Sequence, residues 1–321
     1  MSGEDPPETM SDDGSSVFVA GMKWWPKEDQ LSLHIPPMNF SQKRRGKKST
    51  SLINQVPDKL TRRHCVSRAG EIFDLVGLLT PITASLKLDL HKLVTRKLDW
   101  NDQIPDDLQP IWLNNFELME EPGPLKFQRT IVPEDAINLK LTTVDFADAS
   151  KSSVCASIYA RFKRRCGSYS SQLVFSRSKL VPDGTTQPRA ELLAALINAH
   201  TSEIVRRSFK KWHQSSTKLT DSQITLYWIS NETKSLKQWV RSRVIEILRF
   251  TERKSWYHIK GEDMLADVGT RRGATLDDVN QESEWFKGSK WMKLEVKDMP
   301  IRTVSEIKMT ASEEKAAQLE Q

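Results

Sequence analysis

Leu139-Lys-Leu-Thr-Thr-Val-Asp-Phe-Ala-Asp-Ala-Ser150 is the stretch from which the rest of the chain is most readily understood. From Leu139 to Ala147 it alternates apolar and polar residues well enough for a half-buried strand, and it delivers Asp148 at the strand's far end. Three further acidic residues occupy comparable settings. Glu191, in Pro188-Arg-Ala-Glu-Leu192, falls in the first turn of a long helical pattern. Asp221, in Leu219-Thr-Asp-Ser222, follows the short strand Lys218-Leu219-Thr220, where it would cap a helix carrying Leu226 and Ile229. Asp267, in Leu265-Ala-Asp-Val-Gly-Thr-Arg271, begins a last short helical turn. Taken alone, each of these is an ordinary helix cap or solvated side chain. The ordered set of four carries the information.

Hard divalent cations prefer oxygen ligands and keep several waters. A carboxylate cluster fed from separate segments can therefore hold two ions, Mg²⁺ or Mn²⁺, and leave positions open for a phosphate. The pattern predicts that Asp148, Glu191, Asp221 and Asp267 are both the metal ligands and the catalytic set of a two-metal nuclease.

The flanking elements predict an α/β domain. Its order is strand, strand, strand, helix, strand, helix, helix, strand, helix, which implies a mixed sheet with helices on its faces. The central helix runs from about Arg189 to Lys211 and is expected to bury Leu193, Leu196, Ile197 and Ile204. Leu236, Val240, Val244 and Ile247 form the stripe of another helix, and Ser255-Trp-Tyr-His-Ile259 supplies the strand before the last acidic block. His258 on that short apolar strand reads as a structural histidine and stays out of the catalytic set. Upstream, Val17–Leu33 is β-like, and residues 34–58 form a loop with Pro36, Pro37 and a basic run. A helical module follows. Thr80-Pro81 can start a helix with Leu86, Leu90 and Val94 along one face, and Pro105 can open another through Leu108, Trp112 and Phe116, bent or delayed by Pro110. Residues 120–133, with Pro122, Gly123 and Pro124, read as a linker.

With 321 residues, 38% of them hydrophobic, the chain can build two cored domains. Cys65, Cys155 and Cys166 have no metal-binding spacing and read as buried thiols of a reducing compartment. No apolar run reaches the roughly 18 residues that cross a bilayer, and the acidic N-terminus lacks a secretory pattern, so a soluble, intracellular protein of cytoplasm or nucleus is expected. The net charge of +6 points to a polyanionic partner. The charge is clustered: Lys43, Arg44, Arg45, Lys47 and Lys48 form one run, which also fits a nuclear-import signal; Arg164 and Arg165 end a second; Arg206, Arg207, Lys210 and Lys211 form a third. A solvated charged face is the plain alternative for each, and basic residues near a helix end also suit its negative pole.

The motifs resemble those of BEL/Pao-type retrotransposon polyproteins, whose ribonuclease H domain runs Asp-Ala-Ser, Arg-x-Glu-Leu, Thr-Asp-Ser and Gly-Glu-Asp-x-x-Ala-Asp-x-x-Thr-Arg. The last block is Gly261–Arg271 in this chain. Arg62–Arg68, Glu71–Pro81 and Lys97–Asp102 resemble the segment joining reverse transcriptase to ribonuclease H, and Gly21–Trp24 resembles the polymerase tail. The resemblance, over roughly residues 17–291, implies a reverse transcriptase tail with a mainly helical connection (17–132) and a ribonuclease H-like domain (133–272); composition adds a disordered acidic tail (1–16), poor in large apolar side chains, and a polar C-terminal extension (273–321) ending in a short helical or frayed tail. It implies cleavage of the RNA strand of an RNA–DNA hybrid. Asp148 would bridge both ions, Glu191 and Asp221 would hold one and help place the water, and Asp267 would complete the shell of the other. The hybrid and the remaining polyprotein parts are the implied partners.

The family also carries a peptidase label, but the chain has no Asp-Thr-Gly or Asp-Ser-Gly, and it has no Tyr-x-Asp-Asp hairpin. Neither aspartic protease nor polymerase activity is expected. Ser153-Val-Cys-Ala-Ser157 stands where the family often has a glycine, and Met264-Leu265 replaces Asn-Pro. The alternative expectation is accordingly an inactive retroelement remnant that binds nucleic acid or serves only as a structural part of a polyprotein.

Overall fold

The structure, a computed structural model, describes residues 16–19, 22–33, 35, 56–120 and 125–319. Ser16 aside, the expected acidic tail lies outside the described residues, as do Lys43, Arg44, Arg45, Lys47 and Lys48. The chain divides into two compact units, one made of residues up to Leu75 with Leu86–Arg129, the other of Val76–Ser85 with Thr130–Gln321. No helix among the described residues is long and apolar enough to cross a membrane.

The first unit holds an antiparallel sheet in the order β1 (Val17–Val19), β2 (Met22–Trp25), β3 (Gln30–Leu33) and β4 (Lys126–Gln128), together with α1 (Arg62–Ala69), most of α2 (Thr80–Thr95) and α3 (Gln109–Glu120). Two expectations are corrected here. The stretch read as a linker contains β4, which pairs with β3 through Leu31 and Phe127. The stripe of α2 is also different: Val94 is 55% exposed, whereas Leu86, Asp89 and Leu93 are buried. A strict four-residue repeat drifts by about 40° per step around a helix of 3.6 residues per turn, so by Val94 it has left the buried face. Pro110 delays rather than bends α3, whose Trp112 and Phe116 are fully buried.

The second unit is the expected mixed sheet, in the order β7 (Tyr169–Leu180), β6 (Ser153–Lys163), β5 (Leu141–Ala149), β8 (His213–Thr220) and β9 (Trp256–His258). The first three strands are antiparallel neighbours, while β8 and β9 run parallel to β5. Helix α4 (Gln187–Ser208) lies over β5 and β6, with α5 (Gln223–Ser230) and α6 (Gln238–Phe250) beside it. The buried stripe of α6 is as read, with Val240, Val244 and Ile247 joined by Leu236 just before it. Each such side chain contributes about 1.5–3 kcal/mol by burial.

The face of α4 needs correction. Ile197 is buried as expected, with Leu192 and Val205, but the rest of the buried face is made of Ala190, Ala194, Ala195, Asn198, Ala199 and Ser202; Leu193 and Leu196 are only partly buried, and Ile204 is 42% exposed. A helix lying close on a sheet selects small residues where backbones approach, and here the alanines take that place while Leu193, Leu196 and Ile204 turn toward the flanks.

Alternation along a strand sends Asp145 and Ala147 to the α4 face and Phe146 and Asp148 to the other. On the α4 side Asp145, fully buried, meets its register partner Lys218: Nζ donates to Oδ2 at 2.7 Å. Ser202 Oγ also donates to that oxygen at 2.7 Å, and Lys218 reaches Asn198 Oδ1 at 3.5 Å. The opposite face is covered by part of the C-terminal extension, with α8 (Glu284–Lys287) and α7 (Leu276–Val279) beside it, whereas α9 (Ala311–Gln318) packs on α5 at the α4-side core. Tyr159 donates its hydroxyl to the Trp285 carbonyl at 2.7 Å, buried Arg161 donates to the Met292 and Leu294 carbonyls, and Phe146 contacts Trp291. Of the two alternatives for the C-terminal end, the short helix is present as α9, and Trp228 Nε1 donates to the carbonyl of its buried Ala317.

Val76–Ser85 joins this unit along β7, where Ser176 N donates to the Val76 carbonyl at 2.9 Å. Gly77 has φ 79°, and a Cβ there would sit 2.1 Å from the Ser176 carbonyl oxygen. Only glycine fits so close an approach. Of the thiols, Cys65 and Cys155 are buried as read, but Cys166 is exposed, because it lies in the turn between β6 and β7.

Candidate metal centre

Because β5 and β8 are parallel neighbours, their C-terminal ends lie side by side. Asp148 is the penultimate residue of β5, and Asp221 immediately follows β8. Glu191 stands one turn inside α4, slightly deeper than a first-turn position. One carboxylate oxygen from each of Asp148, Glu191 and Asp221 lies within 4.8 Å of the others. Asp148 is 6% exposed and Glu191 9%, and none of the three forms an ion pair with a lysine or arginine among the described residues.

The electrostatic cost is visible in the protonation equilibria. Burial pushes Asp148 up to about 7; a hydrogen bond from Thr270 opposes this, and the charges of Asp221 and Asp267 add to it. Burial, then the charges of Asp148 and Asp221, push Glu191 up to about 9. Asp221 is raised as well, again mainly by burial. Glu191 Oε2 is buried without a hydrogen-bond partner. An all-oxygen donor set, clustered and lacking a cation, fits a hard divalent ion. Asp148, Glu191 and Asp221 are therefore a possible metal site.

Asp267 is placed differently. It lies on the 3-10 turn Leu265–Gly269, half-exposed, with its carboxylate paired to Arg271 at 3.1 Å. Its charge acts on Asp148 and Asp221, but it is not one of the three clustered carboxylates.

Several supporting residues escaped the sequence reading. Asp221 is not the cap of α5: Ser222 takes that place and accepts from the Thr225 amide at 3.2 Å, leaving the Asp221 carboxylate for the cluster. The adjacent Asp-Ser pair was the available signal. Gln187 Nε2 donates to the Ala149 carbonyl at 2.7 Å and to Glu191 Oε1 at 2.6 Å. Thr270 Oγ1 donates to Asp148 Oδ2 at 2.5 Å, and Ser153 Oγ donates to the Thr270 carbonyl at 2.9 Å. Gly269 sits on Cys155, where a Cβ would come within 2.4 Å of Sγ. The departures at Cys155 and Met264-Leu265 are thus built into the packing, with Met264 and Leu265 buried. His258 Nε2 contacts the Asp221 carbonyl at 3.1 Å, tying β9 to the loop that carries this carboxylate.

Among the described basic candidates, Arg164 is paired with Asp135 at 2.9 Å and Arg206 with Glu203 at 2.5 Å. Arg165 acts electrostatically on Asp135, and Lys210 is exposed just beyond α4.

No curated protein matches the chain. A solved structure of a foamy viral protease-reverse transcriptase in complex with double-stranded DNA is similar at 11% identity and a TM-score of 0.33, over 65% of this chain and 33% of that one. The family model described as Pao retrotransposon-like RNaseH-like domain matches residues 61–222 and ends before the Asp267 block. With half of its residues matched and its mixed sheet in place, the chain belongs to the Pao retrotransposon RNaseH-like family.

Proposed function

We propose that the protein is a ribonuclease H-type endonuclease that hydrolyses the RNA strand of an RNA–DNA hybrid, leaving a 3′-hydroxyl and a 5′-phosphate. The observation that carries this reading is the meeting of Asp148, Glu191 and Asp221 from β5, α4 and the end of β8. These residues would hold Mg²⁺ or Mn²⁺, and Asp267 would join them for a second ion. When bound, such a pair lowers the pKa of water for attack and neutralises charge on the leaving oxygen. The chain's own contribution is to converge Asp148, Glu191 and Asp221 with no ion pair on these three among the described residues, and to release protons from Asp148 and Glu191 as a cation is taken up. Arg164, Arg165, Arg206 and Lys210, with the Lys43–Lys48 run, would grip hybrid phosphates. The Arg164–Asp135 ion pair is half-exposed on both sides and therefore easily exchanged for a phosphate, and Arg206 is half-exposed beside a Glu203 that Arg207 also holds.

The test is cleavage of a hybrid labelled in its RNA strand, with Mg²⁺. Asp148→Asn and Asp221→Asn are expected to lose about 10³-fold in rate, equivalent to the several kcal/mol that a bound metal supplies. Equal cleavage by wild type and variants, or none by any, overturns the enzymatic reading.

The pairing of Asp267 with Arg271 favours one second reading, a domain that binds hybrid without cutting it. Binding that persists in EDTA, falls steeply with salt and yields no turnover would select it.

A further inference from the structure

Two neutral side chains hold the carboxylates of the cluster, and neither is a ligand candidate. We propose that Thr270 and Gln187 are positioning residues whose hydrogen bonds to Asp148 Oδ2 and Glu191 Oε1 set the divalent-cation affinity of the site. This rests on the reading of Asp148, Glu191 and Asp221 as a metal centre.

Thr270 is 2% exposed, and its hydroxyl spans the gap from the turn Leu265–Gly269 to β5. The backbone behind that hydroxyl is fixed twice. Ser153 Oγ donates to the Thr270 carbonyl, and Gly269 rests on Cys155 with no room for a side chain. Both anchors belong to β6, the neighbour of β5, and Asp148 is the register partner of Cys155. The turn that carries Asp267 is therefore locked to the strand beside Asp148, and the Thr270 hydroxyl selects one orientation of that carboxylate. The hydroxyl also sets the distance between the central carboxylate and Asp267, three residues upstream.

Gln187 acts on the other side. One NH₂ group has two hydrogens, and here they go to the last carbonyl of β5 and to Glu191, four residues along α4. The amide thus staples the start of α4 to the end of β5 and aims Glu191 with its Oε2 unpartnered. An uncharged donor suits this work. A lysine or arginine would hold the carboxylate equally well, but it would compete with the metal for it. Outer-shell hydrogen bonds of this kind typically set metal affinity by about 10–100-fold.

Mn²⁺ titration by calorimetry on the full chain tests the proposal, with Thr270→Val, Thr270→Ser and Gln187→Leu beside wild type and chemical denaturation in EDTA as the check on folding. Thr270→Val and Gln187→Leu are expected to bind Mn²⁺ about 10–100-fold more weakly, and Thr270→Ser to stay close to wild type. Gln187 is exposed, so its variant carries the test even if Thr270→Val does not fold. Wild-type affinity in Gln187→Leu or in folded Thr270→Val overturns the proposal, as does a Thr270→Ser variant as weak as Thr270→Val. Wild-type protein that binds no Mn²⁺ overturns the metal-centre reading together with it, whereas binding that ignores all three substitutions overturns this proposal alone.

Discussion

Asp145 and Asp148 stand three residues apart on β5, both are buried, and the protein treats them in opposite ways. Asp145 faces α4 and receives an internal lysine, with Lys218 Nζ and Ser202 Oγ both on its Oδ2. Asp148 faces the other side, and what gathers around it is more negative charge, from Glu191, Asp221 and Asp267. The first arrangement is complete within the chain. The second leaves its three clustered carboxylates without a cation among the described residues and is a possible metal site. A buried acid therefore gains meaning from its partner's sign: a lysine 2.7 Å away makes a structural pair, and two further carboxylates within 4.8 Å make a possible metal site.

Breaking the structural pair should give the largest effect. Lys218→Met leaves Asp145 as an uncompensated buried charge and is expected to cost about 3–5 kcal/mol in urea denaturation, with or without divalent cations. Adding Asp145→Leu should recover most of that loss, since a buried pair replaced by apolar residues is often neutral to stability. A Lys218→Met protein as stable as wild type would show that the two acids are not treated differently after all.

The unbalanced cluster should respond to pH and metal where the pair does not. Asp148 and Glu191 are raised to about 7 and about 9, so the folded state binds their protons more tightly than the unfolded chain does. Their stabilising contribution is complete at acid pH, below the unfolded carboxylate range. It is lost as pH climbs through about 7 and then about 9. In EDTA, stability should thus fall between pH 5 and pH 8. At pH 8, Mg²⁺ at about 100 times its Kd should restore about 2.7 kcal/mol. Asp148→Asn combined with Glu191→Gln should flatten the pH slope and abolish the response to Mg²⁺. A slope that survives both substitutions would place its origin elsewhere in the molecule.

Much of this is legible in the sequence. Alternation through Val144 and Phe146 made β5 a strand, and the spacing of Val240, Val244 and Ile247 made α6 a helix, because local periodicity reports which side of an element meets the core. The three clustered carboxylates were legible because each sits at a strand end or near a helix start. The Asp145–Lys218 pair was not, since 73 residues separate the partners and only the parallel register of β5 and β8 joins them. The face of α4 was misread for a related reason. Hydrophobicity favours Leu193 and Ile204, whereas contact between backbones favours Ala194, Ala195 and Ala199, and that contact exists only once the sheet is built. The roles of Gln187 and Thr270 likewise depend on atoms brought together by the fold.

Asp267 lies between the two cases, and the smallest predicted effect tests which one it joins. Its partner Arg271 is 62% exposed and Asp267 itself 43%, so water and salt screen the pair, and it contributes about 0–0.5 kcal/mol to stability. Arg271→Ala should therefore leave the urea midpoint in EDTA nearly unchanged, in contrast to Lys218→Met. Removing a positive charge beside the cluster should also raise Mn²⁺ affinity, by about twofold to fivefold at this screened separation. A loss of more than about 1 kcal/mol with no gain in affinity would class Asp267 with Asp145, as an acid whose cation is already part of the fold. Unchanged stability with tighter Mn²⁺ binding would class it with Asp148, with Arg271 as a displaceable stand-in for the ion.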